Sequence, residues 1–206
     1  SKSIQYDHNT LIFRGLSGNS SSKIKVLIDG EPISYMQDGG RHNGFRLPLT
    51  SFKRIEVILG PGSAIYGADA FAGIVNLVSY EFDEMPSIVA VRAGSFDTYD
   101  FSIRHKTELG QTKLQLAVDY LESADDKDRI VTADLQSTID AVFGTNASNA
   151  PGRFDEHYRV LSGLVNWQYD ELNLSLFTWR NFDLGLAAGI AQALDPMGFV
   201  SDYHNE

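Results

Sequence analysis

The chain has 206 residues, 43% of them hydrophobic, and carries 27 acidic against 17 basic side chains for a net charge of −10. That acidic balance argues against sequence-independent nucleic-acid binding, zero cysteine excludes disulfides and thiolate metal sites, and no apolar run nears the ~18 residues of a transmembrane helix. A β-barrel stays open, because its strands need only about 9–11 residues and alternate in polarity.

The length allows one or two domains, and no signal peptide opens the chain, as expected of a mature or trimmed start. Residues 10–15 and 24–29 read as short strands around the turn sequence Gly18-Asn19-Ser20-Ser21-Ser22. Residues 34–46 are polar and glycine-rich and read as a loop. It offers aromatic, cationic and hydrogen-bonding groups at Tyr35, Gln37, Arg41, His42, Asn43 and Phe45, the best candidates for ligand contact. The plain alternative is an ordinary solvated loop.

A strand follows at 54–59 and runs into Gly60-Pro61-Gly62. Small residues then recur around Tyr66, at Ser63, Ala64, Gly67, Ala68, Ala70, Ala72 and Gly73, in a segment that includes a helical turn. Residues 74–79 form another apolar strand, and 81–86 read as a linker ended by Pro86. Such a density of small residues suits a segment packed tightly inside something else, since glycine permits approaches that a Cβ forbids.

From residue 87 the pattern becomes repeated alternation. Strands are predicted at 87–94, 99–107, 113–121, 157–169 and 172–183, with a long loop over 122–156 and a second long polar segment after 184. Tyr99, Phe101 and Ile103 oppose Asp100, Ser102 and Arg104. Leu114, Leu116, Val118 and Tyr120 oppose Lys113, Gln115 and Asp119, and Leu161, Val165, Trp167 and Tyr169 share a face opposite Asn166 and Gln168. Alternation alone fits a soluble β-sandwich as well as a barrel.

Several motifs fail the tests of chemistry. Gly60-Pro61-Gly62-Ser63 lacks the lysine of a phosphate loop, and its third glycine, Gly67, falls too late for a dinucleotide fingerprint. Ser63 sits in Gly-Ser-Ala rather than a nucleophile elbow. His8, His42, His105, His157 and His204 are scattered and read as surface or loop residues rather than ligands. Glu122, Asp125, Asp126 and Asp128 form an acidic run expected to be a solvated loop, with calcium as the alternative. No catalytic constellation appears, so the chain is not expected to be an enzyme.

The segment 52–79 resembles the plug-domain signature of TonB-dependent outer-membrane receptors, "RGPGSALYG" followed by a small-residue run ending in "GGVINI". Arg54, Glu56, Gly60, Pro61, Ser63, Ala64, Tyr66, Gly67, Ala70, Gly73, Val75 and Asn76 carry the likeness. Ile12-Phe13-Arg14-Gly15 and Val26-Leu27-Ile28-Asp29-Gly30 agree in order and spacing with the "IRG" and "VLIDG" blocks. The spacing looks most like the branch of cobalamin, catecholate-siderophore and colicin receptors.

The resemblance implies a mixed α/β plug over 1–80, incomplete at its start and without the energy-coupling box, a linker at 81–86, and antiparallel transmembrane strands over 87–206. These strands would be the first of a 22-stranded plugged barrel. That barrel needs roughly 220 residues in strands alone at about 10 each, so a fragment is expected. Short periplasmic turns and long outer loops then place 95–98, 122–156 and the segment after 184 outside the cell, and 108–112 and 170–171 in the periplasm. Tyr99, Tyr120, Trp167, Tyr169 and Trp179 fit interfacial girdles. The 34–46 loop becomes an apical plug loop, with Tyr6 and His8 nearby.

In the family, the arginines of "IRG" and "RGP" latch plug to barrel. Here Leu59 replaces the second, so the latch is either halved to Arg14 or rebuilt through Arg54 and Glu56. Gly60, Pro61, Gly62, Tyr66, Gly67 and Gly73 are structural. The implied activity is energy-coupled uptake of a scarce bulky nutrient (ferric siderophore, haem or cobalamin) across a Gram-negative outer membrane, by a monomeric barrel working with the inner-membrane TonB complex. A non-transporting receptor or a soluble β-rich carbohydrate-binding protein are the alternatives. No cofactor is expected apart from the calcium alternative.

Overall fold

Among the described residues, apolar or alternating stretches between turn residues become strands, which sort into two main sheets and two two-stranded ribbons. The computed structural model describes residues 24–33, 47–60, 62–67, 70, 72–185, 193–195, 199–200 and 203–205. They divide into two compact units, with Ser87 opening the stretch that runs to the end of the second. The strand expected at 10–15 lies outside the described residues.

The first unit holds β1 (Ile24–Ile28), β2 (Glu31–Pro32), β3 (Phe52–Leu59), α1 (Ser63–Tyr66) and β4 (Gly73–Ser79). The sheet order is β2-β1-β4-β3, with β1 and β4 parallel and the other pairs antiparallel. Leu27, Ala70 and Ile74 form its buried cluster, with the Tyr66 ring packed against it. Burying the Leu27 and Ile74 side chains contributes roughly 1.5–3 kcal/mol each. The segment expected as a linker is folded onto this unit. Met85 is buried, its N–H donates to the Glu81 carbonyl at 3.0 Å, and Glu84 pairs with Lys53.

The second unit contains β5 (Ile88–Gly94), β6 (Thr98–Leu109), β7 (Thr112–Ser123), β8 (Ile130–Val131), α2 (Leu135–Phe143), β9 (Gly152–Arg153), β10 (Tyr158–Tyr169), β11 (Leu172–Phe182), β12 (Leu184–Gly185), β13 (Phe199–Val200) and β14 (Tyr203–Asn205). Its main sheet runs β14-β11-β10-β7-β6-β5, antiparallel throughout. β6 and β7 meet at Gly110-Gln111, and β10 and β11 at Asp170-Glu171. Those tight turns keep strict register, pairing Leu109 with Thr112 and Tyr169 with Leu172.

This sheet is inside out. Pairing aligns Val91, Phe101, Tyr120 and Leu161 on one face, with Val89, Ile103, Val118, Leu116, Leu174 and Leu176 continuing it. All of these are exposed except Tyr120, which is partly covered; Leu174 is 63% accessible. His105 interrupts the band beside Leu116. The opposite face is buried and carries polar side chains among apolar ones: Asp119 is 1% accessible, Ser162 2% and Asn181 0%, beside Ala117, Val160 and Leu164. From the Tyr99–Glu122 row to the Leu109–Thr112 row the strands climb ~34 Å at ~3.4 Å per residue, or ~24 Å at a tilt of ~45°, the height of an outer-membrane barrel's apolar band.

Aromatic side chains mark both ends of that band. Trp167 and Tyr169 stack at 6.3 Å near the tight turns, and Tyr120 and Phe182 meet at 6.4 Å toward the other end. Trp179 corrects the expected girdle. It pairs with Ser162 on the polar face and is 3% accessible, because its position has the opposite parity to Arg180 and Phe182.

The predicted long loop at 122–156 also needs correction, since much of it is folded. Asp134 caps α2 by accepting from the Ser137 N–H, Gly144 closes the helix, and β8 pairs with β9. Phe154 and Leu194 make a small core with Val131 and Ala150 against it. No described helix is long and apolar enough to cross a membrane.

Candidate functional site

On the first sheet, Arg54 and Glu56 lie two residues apart on β3, so their side chains share a face. The Arg54 Nε donates to Glu56 Oε1 at 2.8 Å, and Asn76, the cross-strand partner of Glu56, donates Nδ2 to Oε2 at 3.3 Å. Asn76 Oδ1 in turn accepts from the Gly30 N–H at 3.0 Å, which carries the chain of bonds to the β1–β2 turn. The Arg54 hydrogen bond, then that from Asn76, holds the Glu56 carboxyl below its ordinary value. Leu59, where the family carries an arginine, is exposed and pairs with Gly73. Arg14 lies outside the described residues.

The structural motif has a steric logic. A Cβ on Gly62 would run into the Ile74 side chain, so only glycine lets this turn close on the core. Gly60 sits at φ 130°, closed to ordinary side chains. The Tyr66 carbonyl accepts from Lys25 Nζ at 2.6 Å, tying α1 to β1. Gly73 begins β4 opposite both Ile24 and Leu59, and Gly67 follows α1. Pro61 and the ligand-contact candidates Tyr6, His8, Tyr35, Gln37, Arg41, His42, Asn43 and Phe45 lie outside the described residues.

A second charged site lies at the end of the main sheet away from the tight turns. A cavity of about 330 Å³ is lined by Asp97, Glu122, Lys127, Arg153, His157 and Arg159, among others. Arg159, at the start of β10, reaches Glu122 of β7 at 3.6 Å and Asp183 at 3.3 Å. Lys127 pairs with Asp97 at 2.6 Å. His157 stands between two carboxylates, with Nδ1 2.8 Å from Asp155 and Nε2 3.1 Å from Asp183. The sequence reading places this histidine in a loop, where it is found, but does not foresee the two carboxylates beside it. The Asp-x-His spacing was the one local signal, and Asp183 comes from the far end of the β10–β11 hairpin.

Two aspartates organise the folded loop. Asp140 accepts from Thr145 Oγ1, Gln136 Nε2 and the amides of Ala147 and Ser148, which together hold its carboxyl at about 2. Asp134 is partly desolvated, which opposes ionisation. Bonds from the Leu194 amide, the Ser137 hydroxyl and amide and the Ser148 hydroxyl overcome this and set it at about 2 as well. The acidic run disperses. Asp125 accepts from the Glu156 amide, Asp126 from the Asp128 amide, and Glu122 from the Tyr120 hydroxyl at 2.6 Å. Among the described residues no three carboxylates or imidazoles converge on a metal-sized point.

With this geometry in hand, the likenesses to known proteins take on structural meaning. Residues 3–74 match the TonB-dependent Receptor Plug Domain family. The fold matches the pyoverdine outer membrane receptor FpvA from Pseudomonas aeruginosa PAO1, bound to pyoverdine, at 16% identity over 87% of this chain and 23% of that one, with a TM-score of 0.54. It also matches the ferric yersiniabactin uptake receptor FyuA from Yersinia pestis, at 20% identity over 87% of this chain and 26% of that one, with a TM-score of 0.53. The chain thus spans about a quarter of the length of these receptors. It carries the plug domain of the TonB-dependent receptors, mixed α/β in build, joined to antiparallel strands with the fold of the plugged-barrel wall.

Proposed function

We propose that the protein takes up a scarce, bulky nutrient across the outer membrane of a Gram-negative bacterium, driven by the inner-membrane TonB complex. The observation that carries this reading is the inside-out sheet that follows the plug domain. A water-soluble sandwich buries its apolar face, whereas this sheet exposes a band from Val89 to Leu176 and buries Asp119 and Ser162. Contiguous apolar surface on that scale belongs against lipid or a partner, and its ~24 Å height and aromatic ends fit lipid.

The outer membrane holds no ATP, so the free energy for import must come mechanically through the plug from an inner-membrane partner. The reaction is translocation and needs no catalytic side chain. A ferric siderophore is the favoured ligand class, because both solved relatives are named for siderophore uptake or binding. The 34–46 loop with Tyr35, Arg41 and His42 is the proposed contact surface on the plug. Arg14, Arg54 and Glu56 are the proposed latch to the wall.

The test is uptake of radio-iron from a panel of ferric siderophores by cells that express the complete receptor, with and without TonB. Accumulation that requires both supports the reading. Surface binding with no TonB-dependent accumulation would make the protein a non-transporting receptor instead.

A further inference from the structure

We infer that His157 is a pH-operated clasp that fastens together the two long connections at one end of the main sheet, closed while both ring nitrogens carry protons. Asp155 belongs to the connection between β7 and β10, and Asp183 to the segment that leaves β11. One imidazole spans both, with Nδ1 2.8 Å from Asp155 Oδ1 and Nε2 3.1 Å from Asp183 Oδ1. A neutral imidazole has a single N–H. It can donate to one carboxylate only and must turn a lone pair on the other, so both contacts are hydrogen bonds only in the imidazolium.

The two connections are pressed together around this ring. The Gly185 N–H donates to the His157 carbonyl at 2.8 Å. A Cβ on Gly185 would fall 2.7 Å from the Asp155 carbonyl oxygen and 2.8 Å from His157 Nδ1, so only glycine permits the approach. Farther along, the Leu194 amide donates to Asp134 at 2.7 Å, and Asn149 Nδ2 donates to the Leu194 carbonyl at 2.8 Å. Among the described residues, the segment after β11 is therefore bound to the earlier connection both at the clasp and around Leu194, and only the clasp is built on an imidazole.

Other charges face the clasp from each neighbouring element. Arg159 on β10 shares Asp183 and reaches Glu122 on β7, while Arg153 on β9 lies near enough to act on Asp155. Arg129 pairs with Glu156 at 3.6 Å, and Lys127 with Asp97. Partial burial works against charge on the ring, but the hydrogen bonds and charges of Asp155 and Asp183 prevail and raise His157 above its ordinary 6.5. For Asp155, burial is likewise outweighed by the bonds from His157, and the carboxyl is held below its usual range.

The signs follow. The histidine contribution is complete below 6.5 and disappears as pH rises through the raised value. The Asp155 contribution is complete above 3.8 and is lost as pH falls through the depressed value. The clasp is closed in mildly acidic surroundings and opens as pH rises through the raised value above 6.5. On the orientation proposed above, this end faces the medium, so the medium's pH would set it.

The experiment is hydrogen exchange at the Gly185 amide of the full-length protein in lipid, from about pH 5.5 to about pH 9, each rate divided by its intrinsic value. Protection is expected to fall about tenfold across that range, the worth of a charge-assisted hydrogen bond reduced by solvent screening. His157→Gln should give low protection at every pH with no step. Asp183→Asn should move the step to lower pH. Amides of the β10–β11 ladder, unchanged in both variants, certify that the sheet is intact. A flat wild-type profile, or a step that survives in His157→Gln, overturns the clasp, and neither result depends on whether the receptor imports anything.

Discussion

The two main sheets of this chain treat apolar side chains differently: the first buries those of its central strands, and the second leaves a continuous apolar band open. In the first unit, Ile24, Val26, Leu27 and Ile28 of β1 are buried, and the core of Leu27, Ala70 and Ile74 is apolar. In the second, the covered face of the main sheet mixes Asp119, Ser162 and Asn181 with Ala117, Val160 and Trp179, while Val91 and Leu174 lie open. Both sheets are hydrogen-bonded in ladders, regular in the second and shifted in the first between Phe52 and Arg54. The period of two says only that a strand has two different faces. Which face is inside is decided by the medium around the sheet, because apolar surface is driven from water but not from lipid.

That contrast can be broken from either side. The largest effect is expected in the first sheet, where Leu27→Ala removes a fully buried side chain and should cost about 3 kcal/mol, read as a lowered denaturation midpoint for the plug. In the second sheet the sensitive positions are the exposed ones. Leu116→Arg, near the middle of the apolar band, should cost about 2–4 kcal/mol when the protein refolds into lipid vesicles. On a water-facing sheet the same change would be nearly neutral, so a cost below about 0.5 kcal/mol would contradict the lipid-facing assignment.

The folded loop sharpens the comparison, since buried polar bonds hold it beside its small apolar core. Asp134→Ala removes the α2 cap and the acceptor for the Leu194 amide, and should cost about 1–2 kcal/mol. Its readout is faster proteolysis in the 124–157 segment, with the main sheet unaffected. The same carboxylate makes the loop acid-sensitive. Its folded value is about 2 against 3.8 unfolded, so its support is whole above 3.8 and fails as pH falls toward 2. Loop proteolysis by an acid-stable protease should therefore rise below pH 3.8 in the wild type and show less pH response in Asp134→Ala.

Much of this architecture was legible in the residues. The strands predicted at 99–107, 113–121 and 157–169 agree with β6, β7 and β10 to within two residues at each end, because Gly110 and Asp170-Glu171 punctuate a steady alternation. α2 was overlooked although Asp134 and Gly144 stand at its ends. Leu135, Ile139, Val142 and Phe143 also stand at helical spacing, so the amphipathic signal was present in the sequence although most of that stripe faces outward. Trp179 was assigned to the wrong side because its type suggested a girdle while its parity did not.

The sequence by itself determined where strands begin and end, which residues share a face, and that residues 52–79 form the plug motif, since turn chemistry and side-chain period are local properties of the chain. Tertiary structure alone decided which face is buried, which carboxylates Arg54 and Arg159 engage, and that His157 meets an aspartate 26 residues away. Those outcomes depend on register between strands and on the solvent each face meets, and neither is written in any single segment.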